Sequence, residues 1–413
     1  MKIKKILKKI GIILLKVFTV LLGIIAAFCA VTAVVNSVLI RKNLEFAQSF
    51  DLVSYDETSR LRPLKDDNGD TVFITDRDFK ILQLTDIHLG GGFLSYKKDR
   101  AALNAVASMV TREKPDLVII TGDIAYPTPQ AMTLNNKNGA KLMAALMEKL
   151  GAYWTVVLGN HDTEAYSYYS RNTIGTFYED SSLKYCLFQK GPENVDGIGN
   201  YIINIKNTKG LITQSLIMLD SHSYTDKDYF GVFWKYDNLH KNQIDWYKSR
   251  VLEMTQLNNT LKQDKGEDTE PYVSSLCFLH IPLTEYLDAY NEYCDSGLKD
   301  TENTEYIHGK IGESGRLVYC GINDDEFFES LTGTKAVFCG HDHLNNIALK
   351  YKGVMLCYGM SVDYLAYIGI SSKGEQRGCT VITSKTNSEI TVVNENYYQD
   401  KYVSKYAKET VEF

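Results

Sequence analysis

Five short polar clusters in this 413-residue chain each close an apolar run. Asp86-Ile87-His88 follows residues 79–85, Gly122-Asp123 follows 117–121, and Gly159-Asn160-His161-Asp162 follows 153–158. His280 ends the run 273–279, and Gly340-His341-Asp342-His343 follows 335–339. Carboxylate oxygen combined with imidazole nitrogen suits a divalent or trivalent ion such as Mn, Fe or Zn. Asp86, His88, Asp123, Asn160, His280, His341 and His343 are more ligand-type residues than one ion needs. Two ions sharing one carboxylate would use them all. Such a pair generates hydroxide at neutral pH and stabilises the charge that develops when it attacks phosphorus. A lone Asp-x-His or Gly-Asp is ordinarily a turn; five in order, each at the end of an apolar run, point to one metal site.

The elements that must carry these clusters alternate. Strand-like runs at 79–85, 117–121 and 153–158 are separated by helical stretches at 97–113 and 131–150. Continuous apolar strands alternating with amphipathic helices predict a sheet covered on both faces. Open α/β sheets place their ligands at the carboxyl ends of such strands. Beyond Gly199 the strands crowd together, at 201–206, 213–219, 273–279, 335–339, 353–358 and 378–383, with a helix over 240–254. The pattern predicts a second sheet packed on the first, an α/β sandwich. Two polar insertions, 258–270 and 287–324, interrupt it, and a long loop in a compact domain is usually functional or mobile.

The ordered set, D-x-H, GD, GNHD, H and GHxH, resembles the calcineurin-like metallophosphoesterase family over roughly residues 79–384. Gly159-Asn160-His161-Asp162-Thr163-Glu164, His280-Ile281-Pro282-Leu283-Thr284-Glu285-Tyr286 and Gly340-His341-Asp342-His343-Leu344-Asn345-Asn346 are similar to one branch of it. That branch holds fungal Dcr-type protein phosphatases and divergent plant purple-acid-phosphatase-like proteins. The resemblance implies a β-sandwich flanked by helices, four layers in the order αββα. It implies that Asp86, His88 and His343 hold one metal, that Asn160, His280 and His341 hold the other, and that Asp123 bridges them. It implies that His161 is unligated and assists at the substrate phosphate, with Asp162 orienting its imidazole. One departure is visible: purple acid phosphatases carry GD-x-x-Y, present here as Gly122-Asp123-Ile124-Ala125-Tyr126, yet lack the histidine that is here His88. His88 is therefore read as the ligand and Tyr126 as a bystander near the rim. Arg171 is a candidate contact for substrate phosphate, which guanidinium geometry suits.

Residues 1–43 contain eight basic residues and no acid. Five of the lysines fall within 1–9, ahead of an apolar run that starts at Ile10 and, after Lys16, carries no charge from 17 to 40. That length crosses a bilayer as a helix. The organisation expected is a basic cytoplasmic segment at 1–9, a signal anchor at 10–40, a polar stalk at 41–70 and a catalytic domain at 71–413. Positive charge stays cytoplasmic, so the domain is expected outside, tethered to the cell membrane; cleavage and secretion is the alternative. The net charge of −6 includes those basic residues, so the remainder is more acidic still and nucleic-acid binding is not expected. Eight cysteines form no CxxC pair, and Cys294 with Cys320 is the one disulfide considered.

The function expected is hydrolysis of phosphomonoesters, on small phosphorylated molecules or phosphoproteins. A phosphodiesterase or pyrophosphohydrolase acting on nucleotides or lipid-linked substrates is the second reading. A cell-surface metal-binding scaffold is the third.

Overall fold

The computed structural model of the protein describes residues 2–56, 58–367, 370, 377–409 and 411; residues 368–369, 371–376, 410 and 412–413 of the expected catalytic domain lie outside these. The chain begins with α1 (Lys2–Gln48), then β1 (Leu64–Lys65), β2 (Thr71–Ile74) and β3 (Phe79–Leu84). Next come α2 (Tyr96–Glu113), β4 (Leu117–Thr121), α3 (Asn136–Leu150), β5 (Trp154–Val157) and α4 (Arg171–Tyr178). The middle of the chain forms β6 (Tyr201–Lys206), β7 (Ile212–Met218), α5 (Lys241–Gln263), β8 (Ser275–Phe278), α6 (Glu285–Asp295) and β9 (Thr304–His308). It closes with α7 (Phe327–Ser330), β10 (Thr334–Cys339), β11 (Ala348–Tyr351), β12 (Val354–Tyr358), β13 (Gly378–Ser384) and β14 (Ile390–Asn396).

Two sheets result, one in the order β14-β13-β3-β4-β5 and one in the order β1-β2-β6-β7-β8-β10-β12-β11-β9. Strand alternation explains how the larger sheet is covered. Leu216, Met218, Leu276, Phe278, Ala336 and Phe338 face the smaller sheet, and Phe278 stacks on Phe338 with centroids 5.0 Å apart. Their neighbours Ile217, Leu219, Cys277, Val337 and Cys339 face the other way, onto Tyr247, Val251 and Met254 of α5 and Tyr286 and Ala289 of α6. On the far side of the smaller sheet, α2 and α3 supply Leu103, Val106, Val110, Leu142 and Leu146. Period-2 alternation with both faces buried requires helices on both outer surfaces. The predicted four-layer αββα architecture is what forms.

β3, β4 and β5 run parallel to one another, as do β7, β8, β10 and β12. The clusters after β3, β4 and β5 meet those after β8 and β10, so all these carboxyl ends lie on one edge of the sandwich. That edge carries the site.

Four expected boundaries change. The stretch 41–70 is not a free polar stalk at its start, because α1 continues to Gln48 and lies along α2 and α3. Phe46, Ala47, Phe50 and Val53 are buried there, and Asn43 bonds Tyr96 O and Arg100. Four apolar residues at near-helical spacing, hidden among polar ones, hold the segment down. The helix expected from 131 starts at Asn136, because Met132 adopts a left-handed φ of 59°. The insertion 287–324 is partly ordered: α6 runs to Asp295, and β9 extends the large sheet by pairing with β11. Helix α5 likewise runs on to Gln263, into the first polar insertion. All eight cysteines are free, Cys294 exposed and Cys320 buried.

Candidate metal centre

Glycines let the strand ends converge. A Cβ on Gly122, whose φ is +93°, would lie 2.3 Å from Nδ1 of His280, and one on Gly159 would lie 2.1 Å from Oδ1 of Asp123. The Gly-Asp and Gly-Asn pairs seen in the sequence are therefore requirements of close approach. Asp86, His88, Asp123 and His341 all take left-handed φ values, between 49° and 78°. Such conformations are uncommon for residues other than glycine and gather at functional sites.

Two groups of buried donors result, Asp86, His88, Asp123 and His343 in one and Asp123, His280 and His341 in the other. Within each, the donor atoms lie within 4.8 Å of one another, and Asp123 belongs to both. Its Oδ2 is 3.3 Å from Nε2 of His88 and 3.2 Å from Nε2 of His280. Asn160 turns its Oδ1 to within 3.0 Å of the same His280 nitrogen. Nδ1 of His341 faces that nitrogen at 3.3 Å, and Nε2 of His343 stands 3.7 Å from Asp86. All seven residues named from the sequence are thus brought together.

The electrostatics fit cations. Burial disfavours an imidazolium at His280, yet Asp123 overrides it and lifts the pKa to about 9. Burial opposes charge on His88 too, and Asp363 with Asp123 raises it well above the ordinary value. Protons are drawn to the places where metal charge would sit between imidazole and carboxylate. His341, pushed well below its usual range by burial and then by His280, keeps a neutral ring suited to ligation. Oxygen and imidazole donors sharing one carboxylate match a pair of ions.

Further side chains set these donors. His280 Nδ1 lies 2.8 Å from the Thr121 carbonyl, and Thr85 donates to Asp86 Oδ2 at 2.8 Å. Asp363, unmarked by the sequence reading, faces Nδ1 of His88 at 3.3 Å and Nδ1 of His343 at 3.5 Å. Its carboxylate is fixed by the backbone N–H groups of Leu365, Ala366 and Tyr367. It follows β12 on the same edge, and that strand-end position is the one signal of it in the sequence. Carboxylates behind ligating histidines fix tautomer and ring orientation.

His161 occupies the open side, with its side chain 24% exposed. Its backbone N–H donates to Asp123 Oδ1 at 2.8 Å. The partner of its ring is not Asp162, as the resemblance implied, but Glu164, whose Oε1 is 2.6 Å from Nδ1. Asp162 points the other way, accepting the backbone N–H groups of Asp123, Ala125 and Gly159. A short 3-10 turn at His161–Thr163 places residue 164 beside residue 161. Tyr224 ties the arrangement together, donating to Glu164 and accepting from Asn160. Tyr126, half-buried, packs edge-on against both His88 and His161, a wall on the open side of the cluster.

Arg171 is also corrected. Its Nε donates to Asp220 Oδ2 at 2.8 Å, and its terminal nitrogens reach the carbonyls of Leu158 and Gly159 and the hydroxyl of Thr163. The guanidinium pins the Gly159–Asp162 loop from beneath and is turned away from the cleft. Asp342 sits between two donors but turns its buried carboxylate away from them, accepting from Tyr319 N and Tyr358 Oη. Outside the donors lies a cavity of about 220 Å³, lined by His161, Trp234, Tyr236, Tyr319, His341 and Tyr367 among others.

Residues 79–345 match the family model described as calcineurin-like phosphoesterase. The chain belongs to the calcineurin-like phosphoesterase family. It is a metallophosphoesterase. Among its relatives is an Arabidopsis thaliana protein named probable inactive purple acid phosphatase 14, 32% identical over 71% of this chain and 73% of that one. Another from the same plant, probable inactive purple acid phosphatase 29, is 28% identical over 77% and 79%. Phosphatase DCR2 of Saccharomyces cerevisiae is 28% identical over 68% of this chain, which spans 47% of the yeast protein. The calcineurin-like phosphoesterase match covers all five clusters, including Asp86 at one end and His343 at the other.

Proposed function

We propose that this metallophosphoesterase hydrolyses phosphomonoesters at a two-metal centre outside the cytoplasm. The observation that carries the reading is Asp123 Oδ2, held between His88 and His280 at 3.3 and 3.2 Å, with His161 and Glu164 on its open side. Asp86, His88 and His343 would hold one ion, Asn160, His280 and His341 the other, and Asp123 both. When bound, the ions supply a nucleophile at neutral pH and neutralise charge on the phosphoryl group. The chain's own residues do the rest. Nε2 of His161 faces the cleft and protonates the leaving oxygen, while Glu164 holds Nδ1 and stabilises the charged ring. In the balance, an oxygen from water bonds to phosphorus, the ester P–O bond breaks, and the alkoxide leaves as an alcohol.

The names of the plant relatives favour a second reading, a fold that binds metal without turnover. Here every donor and the His161–Glu164 pair are present, which supports catalysis. Purified protein loaded with Mn is assayed on p-nitrophenyl phosphate and on bis-p-nitrophenyl phosphate. Faster monoester hydrolysis is expected. A strong diester preference overturns the monoesterase assignment, and inactivity on both supports the scaffold.

The apolar length of α1 suits a bilayer span. The lysines ahead of it favour a cytoplasmic start. In this reading the domain lies on the opposite side, tethered by a single span.

A further inference from the structure

We infer that the cleft of this enzyme faces the bilayer its own helix spans, and that its substrate is a phosphomonoester borne by a lipid of that bilayer. The inference rests on the phosphomonoesterase reading above and deepens it.

The first observation is the direction of α1. Asn36 accepts from the backbone N–H of Phe93 at 2.8 Å and donates to the carbonyl of Met132 at 2.8 Å. Phe93 and Met132 lie in the loops that follow β3 and β4, on the edge that carries the site. From Asn36 the helix descends along α2 and α3. Phe50 lies beside Ala107, Ser108 and Thr111, and Val53 bonds the carbonyl of Leu150 where α3 ends, toward the opposite edge. The helix is unbroken, so the residues before Asn36 leave the domain past the site edge. Residues 3–31 are exposed throughout. At about 1.5 Å per residue they extend roughly 40 Å beyond that edge, enough for a bilayer core of about 30 Å. Polar clamps at Asn36 and Asn43 leave no flexible spacer. The loops around the metal centre are thereby held against the membrane surface.

The second observation is what those loops expose. The segment after β7, on the same edge, projects Tyr229, Phe230, Val232, Phe233 and Trp234, each between 58% and 68% exposed. Five large apolar residues within six positions are costly to leave in water, and aromatic residues settle at membrane interfaces. The loop is built to stay out. Asp228 accepts the backbone N–H groups of Phe233 and Lys235, and Tyr224 stacks on Tyr236 at its base. Leu94 and Tyr168 add exposed apolar surface from the loops after β3 and β5.

The third observation joins the loop to the chemistry. Trp234 and Tyr236 line the cavity that His161, His341 and His343 also line, and Tyr236 packs on His341 with centroids 4.3 Å apart. The path from the aromatic tip to the metal donors is continuous. A lipid whose chains remain in the bilayer would pass its phosphate along that wall, with its apolar part never exposed to water. The direction of α1, which turns this rim toward the bilayer, favours a lipid over a phosphoprotein as the group that meets it.

The test uses the full-length chain in proteoliposomes. Vesicles of phosphatidylcholine brominated on the acyl chains are expected to quench the emission of Trp234, with the Trp234→Phe variant showing no such loss. Absence of that difference overturns the membrane-facing cleft. In unbrominated vesicles with Mn, turnover of phosphatidate in the same bilayer is compared with that of p-nitrophenyl phosphate. Replacing both Phe230 and Phe233 by Ser is expected to lower phosphatidate turnover about tenfold and to leave the soluble ester within about twofold. Equal loss on both, or no loss on either, overturns the lipid assignment. If the wild-type chain hydrolyses neither, the monoesterase reading fails, and the quenching result still decides which way the cleft faces.

Discussion

Glu164 Oε1 lies 2.6 Å from Nδ1 of His161, and no other carboxylate reaches that ring nitrogen among the described residues. The pairing makes His161 a directed proton donor, and it separates the duties of two neighbouring acids. Glu164→Gln is expected to lower kcat about 10- to 100-fold with little change in KM, because the ring loses its anionic partner and keeps its place. Asp162→Asn is expected to act instead through the loop, lowering the melting temperature. Steady-state kinetics and thermal unfolding on both variants check this. A larger rate defect in Asp162→Asn at unchanged stability would contradict it.

Asp363 gives the second prediction. It faces Nδ1 of both His88 and His343, so Asp363→Asn should weaken metal retention by about 10- to 100-fold. Competition with a chelator, read by metal content, measures it. Activity of the variant should return when Mn is raised, because the donors themselves are intact.

The buried pair of Arg171 and Asp220 gives the third. Burial alone would raise the pKa of Asp220, but the Arg171 guanidinium overrides it and holds the carboxyl below its ordinary value. The unfolded chain then binds a proton more readily than the folded one. This contribution to stability is full above about pH 4, near the unfolded carboxyl value, and is lost as pH falls through the folded one. Arg171→Met leaves Asp220 charged and unpaired, with an expected loss of about 3–5 kcal/mol. Denaturant unfolding at neutral pH and near pH 2, below the unfolded carboxyl value, reads both the loss and its smaller size in acid. If Arg171 instead held substrate phosphate, the variant would raise KM at unchanged stability.

Cys294 is exposed at the end of α6, in the domain, and Cys29 lies within the apolar helix. In intact cells a membrane-impermeant maleimide should label Cys294 without permeabilisation. Labelling only after permeabilisation would place the domain in the cytoplasm.

Much of the architecture was readable because burial leaves a period in the sequence. Runs such as Leu276-Cys277-Phe278-Leu279 are apolar throughout because one sheet faces a second sheet on one side and α5 and α6 on the other. The seven donors were readable for a related reason, since each ends such a run. Asp363 was hidden because it has no glycine or histidine beside it, although it follows β12 as the donors follow their strands. Glu164 stood inside the quoted Gly159–Glu164 motif, but only a 3-10 turn decides whether residue 162 or 164 swings to the ring. Arg171 misled because a guanidinium near a phosphate site looks the same in sequence whether it faces the cleft or supports it from below. The start of the stalk misled because Phe46, Phe50 and Val53 are too sparse among polar residues to announce a docked helix, and only α2 and α3 reveal what they cover.

Asp123 is proposed to serve two ions at a working phosphomonoesterase site. Metal content and p-nitrophenyl phosphate hydrolysis, measured on the same purified samples of wild type and Asp123→Asn, test it most directly. About two metal ions per wild-type chain are expected, with hydrolysis abolished by chelation and restored by Mn, and loss of both metal and activity in Asp123→Asn. A wild-type chain that holds two ions and leaves the ester intact, or an Asp123→Asn chain that keeps full activity, would contradict it.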